Sequence, residues 1–165
     1  MDLLSFIKEA FSDRLAPQSV VEAGHPPTDE YEDALAFEGK FWNELTCSDL
    51  QKYHAATSGF SPEAFCYFLP GIYSAGIREN RPDLIVNGSL ISSLDRGNAP
   101  NSWDDFFLER WPKLTPKECE ATQRWLLWLS DSGKENDIAL SRAFDTLTVL
   151  SNQQHAIPLA SWPRK

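Results

Sequence analysis

The chain has 165 residues, and its 42 % hydrophobic content, with six Trp and ten Phe, is enough to fill one core, so a single helical domain spanning 1–165 is the expectation. Its 24 acidic residues against 15 basic ones give a net charge of −9, which argues against nucleic acid or an anionic membrane surface as partner, because both need clustered Lys and Arg. Cys47, Cys66 and Cys119 form no C-x-x-C pair, which excludes a disulfide framework or a zinc knuckle.

The N-terminus starts Met1-Asp2-Leu3-Leu4, without the basic start and sustained apolar run of a secretory signal. The longest apolar stretch free of charge, residues 64–77, is 14 long and holds Pro70 and Gly71, whereas a membrane span needs about 20 residues. A cytoplasmic protein with reduced thiols is expected. The charge is uneven: residues 1–70 carry 12 acids and 4 bases, a charge of −8, and residues 71–165 carry 12 acids and 11 bases, a charge of −1.

Taken in order, residues 2–14 place Leu3, Ile7, Ala10 and Phe11 on one helical stripe. Residues 16–27 contain three prolines and Gly24 and read as a connector, with a helical turn at 19–22. Thr28 offers an N-cap to Asp29-Glu30-Tyr31-Glu32-Asp33, whose acids favour a first helical turn; that helix should run to about Glu38 and stop at Gly39. Phe41, Trp42 and Leu45 read as core residues. Ser48 with Gln51 reads as the capping box of a helix over 49–57.

The clearest local signal is at Ser61-Pro62, a favoured N-cap followed by proline at the first helical position. Pro70 removes one intrahelical hydrogen bond, so this central helix should kink or break there. In residues 84–91, Asn87-Gly88 between short apolar runs leaves two readings, a hairpin or a loop leading into a helix at 89–94, of which the second is preferred. Ser102 reads as the cap of a helix bearing Trp103, Phe106, Phe107 and Trp111. Thr115-Pro116-Lys117-Glu118 is a full capping box, and Trp125 to Leu129 is apolar all round, which predicts burial on several sides. Gly133 ends that helix, Leu140, Ala143, Phe144, Leu147 and Leu150 mark another, and the tail 155–165 should pack through Trp162. The fold class is therefore all-α, with six to eight helices.

Chemistry is scarce. His25, His54 and His155 lie at no metal-ligand spacing, so neither metal nor cofactor is expected. His54 with Cys47 or Cys66 would be a base and a nucleophile, but an apolar helix raises a thiol pKa, and structural thiols are the better reading. Asp104-Asp105 and Glu118 with Glu120 sit in first turns, where acids serve the helix dipole. No phosphate loop, nucleophile elbow or zinc-protease motif is present. The chain reads as a non-enzyme.

Residues 60–73, FSPEAFCYFLPGIY, resemble the core motif of a family of small bacterial proteins of unknown function whose members read "speAfrYfLPay". Phe65, Tyr67, Phe68, Leu69 and Pro70 carry the likeness, while Cys66 and Gly71 stand where Arg and Ala are usual. Phe41-Trp42 upstream and Leu114-Thr115-Pro116 leading to Trp125-Leu126 downstream follow the same order of features. The resemblance implies a mostly α-helical bacterial cytosolic protein and supplies no catalytic residue.

The one surface feature above background is the acidic run Asp29, Glu30, Tyr31, Glu32 and Asp33, with Glu38 beyond it. Such a face steers a basic protein partner. In size and charge the chain is similar in character to immunity proteins that neutralise toxins, which makes a basic toxin domain the expected partner. Two readings stand beside it: a small-molecule pocket next to the Pro70 kink, lined by Tyr67 and Tyr73, and a structural subunit exposing Trp103, Phe106 and Trp111.

Overall fold

The computed structural model describes residues 1–153. They form nine α-helices and three short 3-10 turns, with no strand among them. The helices are α1 (Leu3–Ala10), α2 (Asp29–Leu35), α3 (Cys47–Lys52), α4 (Ala56–Gly59), α5 (Pro62–Arg78), α6 (Ile85–Leu94), α7 (Asp105–Arg110), α8 (Pro116–Ser132) and α9 (Asp137–Gln153). The fold is all-α. Two compact units are distinguished, Phe11–Ser89 on one hand and Met1–Ala10 with the described residues from Leu90 onward on the other; the boundary falls within α6.

In the unit Phe11–Ser89, α5 is the core. The Ser61 hydroxyl accepts from the Ala64 N–H at 3.2 Å and donates to the Ser19 carbonyl at 2.9 Å, while the Ser61 N–H donates to the Val20 carbonyl at 2.8 Å. One residue thus starts the helix and ties down the proline-rich connector. The connector has no helical turn at 19–22; it bends at Val20 and Val21 and turns at Ala23 and Gly24, where the His25 N–H donates to the Glu22 carbonyl at 3.3 Å.

Of the kink or break expected at Pro70, the break does not occur: α5 continues for two turns to Arg78. An interior proline costs about 3 kcal/mol. Every residue from 64 to 76 is buried, Phe65, Phe68, Leu69 and Ile72 among them, and each such side chain contributes about 1.5–3 kcal/mol. Packing therefore outweighs the proline. Gly71 serves a close approach: a Cβ there would lie 2.3 Å from the Trp42 carbonyl oxygen and 2.7 Å from Leu45 Cδ1. The 3-10 turn Trp42–Glu44 covers that face of α5, and Tyr67 and Tyr73 are buried, so the side of Pro70 facing this turn is packed.

Several other expectations are corrected. The helix expected over 49–57 is split into α3 and α4, and Thr46, not Ser48, caps α3 in a reciprocal box with Asp49. Phe41 is 56 % exposed, whereas Leu45 is in the core as read. At 84–91 the preferred helix is present as α6, but it starts at Ile85 rather than near Ser89, so there is no hairpin; Asn87 is buried and its Nδ2 donates to the Pro82 carbonyl at 3.0 Å. The split of 49–57 raises the helix number among the described residues to nine.

In the other unit, Thr115 and Glu118 form the expected capping box, with Glu118 Oε2 accepting from the Thr115 N–H at 2.8 Å, and Gly133 ends α8 in the left-handed region at φ +66°. α8 packs against α1 and α9. Trp125, Leu126 and Leu129 are buried, but Leu127 is 55 % exposed, so this helix is not covered on all sides. The Arg124 guanidinium lies 3.9 Å over the Phe6 ring, and Lys117 pairs with Glu9. α7 is capped by Asp104 rather than Ser102, whose hydroxyl is turned to the Ala99 carbonyl at 2.7 Å. Trp103 and Trp111 are fully buried, which removes the exposed aromatic patch of the structural-subunit reading. His155 and Trp162 lie outside the described residues.

Candidate functional site

The acidic run folds as the helix that Thr28 announces. The Thr28 hydroxyl accepts from the Tyr31 N–H at 3.3 Å, satisfying one of the free donors of the first turn of α2. The helix is shorter than read from sequence: it ends at Leu35, and a turn with Gly39 at φ +78° follows. Its inner side presses on α4, where a Cβ at Gly59 would lie 2.1 Å from the Glu30 carbonyl oxygen. Only glycine lets these two helices approach so closely.

That contact sorts the six candidate residues. Asp29 and Glu32, three positions apart on α2, are exposed, as is Glu38 beyond the turn. Among the described residues none of these three carboxylates has a cation partner. Asp33 is drawn inward: its Oδ2 accepts from the Ala55 N–H at 3.0 Å, at the entry to α4. Glu30 is half-buried, and its carboxyl is held below the usual range by backbone N–H at Glu30 and by the Thr28 hydroxyl, with a smaller attraction from His25.

Tyr31 is half-buried and stacks on His25, ring centroids 5.5 Å apart at 18°. His25 Nδ1 donates to the Pro26 carbonyl at 2.8 Å, which fixes the imidazole beneath the tyrosine. Sequence reasoning missed this pairing, since His25 and Tyr31 are separated by two prolines and a helix start. The segment thus carries three exposed carboxylates, Asp29 and Glu32 on α2 and Glu38 after it, and a half-buried Tyr31 stacked on His25.

Most of the groups considered for catalysis lie in the core, cap a helix or pair with a neighbour. Cys47 is buried, its Sγ donates to the Ala75 carbonyl at 3.3 Å, and burial, with Glu79 adding to it, pushes the thiol up to about 12. Cys66 and Cys119 are fully buried thiols, and His54 is exposed on the surface. Asp104 accepts from the Phe107 N–H at 2.9 Å as the cap of α7, and Glu120 pairs with Arg124 one turn on. No group of three metal-binding side chains occurs among the described residues, and no helix among them is long and apolar enough to cross a membrane.

No family model, curated protein or solved structure matches the chain.

Proposed function

We propose that this chain is a non-enzymatic cytoplasmic binding protein, an immunity protein that masks a basic toxin domain with the outer side of α2. The observation that carries the reading is the set of carboxylates of Asp29, Glu32 and Glu38, exposed and without a cation among the described residues, in a stretch 1–70 whose charge is −8. Unpaired charge costs the fold self-repulsion and returns speed of association with a partner of opposite sign. Tyr31, fixed by His25, supplies the aromatic contact that such interfaces favour.

The test is capture of partners on the tagged chain from host lysate, with washes at low and high salt, followed by association kinetics with the captured protein. A basic partner released by salt is expected, and the triple variant Asp29→Lys, Glu32→Lys, Glu38→Lys should slow association about tenfold or more at low salt and much less at high salt. Asp33 stays native in this variant because it holds Ala55. Association of the variant at the native rate at low salt would overturn the reading.

A further inference from the structure

A groove of about 340 Å³ runs between α8 and α9. Leu126 and Leu140 form its buried floor, half-buried Phe144 one wall and exposed Leu127 its lip, while Asp137 and Asp145 stand exposed on its rim. The α9 residues that line it, from Asp137 to Asp145, follow helical spacing, and the core-facing stripe Ala143, Leu147 and Leu150 of the same helix is fully buried elsewhere. α9 therefore presents two faces, one spent on the core and one left open.

We propose that this groove docks a basic amphipathic helix of a partner protein. The two rim carboxylates are eight positions apart, about 12 Å along the axis at helical rise. Neither has a cation partner among the described residues, no Lys or Arg lines the groove, and Arg142 on the same helix is committed to Asp95 at 2.6 Å. An occupant must bring apolar side chains for Leu127 and Phe144 and positive charge for both rims. A helix with apolar residues at i, i+3, i+4 and i+7 flanked by Lys or Arg does so. An anionic lipid surface or nucleic acid is repelled by the same rims. This inference is independent of the α2 reading.

The test uses the full chain and a labelled synthetic 14-residue peptide of Leu and Lys at amphipathic helical spacing, against the same composition scrambled, read by fluorescence anisotropy. The ordered peptide should bind at least about tenfold more tightly than the scrambled one. Leu127→Glu, at a half-exposed position and with its fold checked by circular dichroism, should weaken it about tenfold, the scale of losing one buried leucine contact. Asp137→Asn with Asp145→Asn should weaken it at low salt and flatten its salt dependence. Asp29→Lys with Glu32→Lys should leave it unchanged, so that the two proposals fail separately. Equal binding of the two peptides, or binding indifferent to Leu127→Glu, overturns the proposal. A dimer in sedimentation that Leu127→Glu dissociates, without peptide binding, also overturns it and assigns the face to a second copy of the chain.

Discussion

Glu79 Oε2 accepts the Cys47 backbone N–H at 2.8 Å, so the carboxylate that ends α5 satisfies a free donor at the start of α3, 32 residues earlier in the chain. This bond, with the Cys47 thiol second, holds the Glu79 carboxyl below its ordinary range. A carboxylate depressed on folding contributes stability that is complete above its unfolded pKa, about 4.3, and fades as pH falls through the lower folded value. Glu79→Gln should therefore have a lower urea midpoint than the native chain at pH 7. The two midpoints should converge toward pH 3, and a gap independent of pH would contradict the assignment.

Burial, with Glu79 adding to it, governs the thiol chemistry of Cys47. With the Cys47 thiol raised to about 12, roughly one molecule in ten thousand carries the thiolate at pH 8. Iodoacetamide should leave Cys47 unmodified in the native chain, and Cys66 and Cys119, fully buried, should behave alike. Mass spectrometry along a urea series should show labelling only as the chain unfolds. Prompt modification of any one thiol in buffer would count against its placement.

Two glycine-to-alanine changes should act in opposite directions. At Gly59 the new methyl meets the Glu30 backbone at 2.1 Å, so α2 and α4 must separate, and a loss of about 3 kcal/mol is expected. At Gly88, inside α6, nothing lies within 4 Å of the added carbon, and alanine should stabilise by about 0.5–1 kcal/mol through helix propensity. Thermal melts of the two variants beside the native chain decide this.

The acidic run should divide in the same way. Asp33→Ala removes the acceptor for the Ala55 N–H and should cost about 1 kcal/mol, whereas Asp29→Ala and Glu32→Ala touch no internal partner and should stay within about 0.5 kcal/mol. If the proposed surface is right, partner association responds in the reverse order, strongly at Asp29 and Glu32.

What the sequence makes legible is local. Ser61-Pro62 and Thr115-Pro116 with Glu118 announce α5 and α8 because cap, proline and box act within four residues. The errors arise where partners are distant or rival caps compete. Thr46 wins over Ser48 because Asp49 answers it, and Asp104 wins over Ser102 because that hydroxyl is spent on Ala99. Asn87-Gly88 has the chemistry of a turn, yet both residues lie inside α6, where Asn87 is buried and its side chain donates back to the Pro82 carbonyl. In the candidate site the charges were visible, but not the fate of Asp33, whose donor comes 22 residues later, nor the His25 ring under Tyr31. The α8–α9 groove was hidden by Leu127, an apolar residue in an apolar run that ends at the surface.

Ser61 also sets how the proline-rich connector opens. Its hydroxyl keeps both partners only while Ser19 and Ala64 are in place together, and its N–H is held by Val20. Fraying of the first turn of α5 thus releases the connector, and lifting the connector exposes that turn. A segment with no helix of its own acquires the hydrogen-exchange protection of the buried helix beside it, and the Ser61 amide is the reporter of their joint opening.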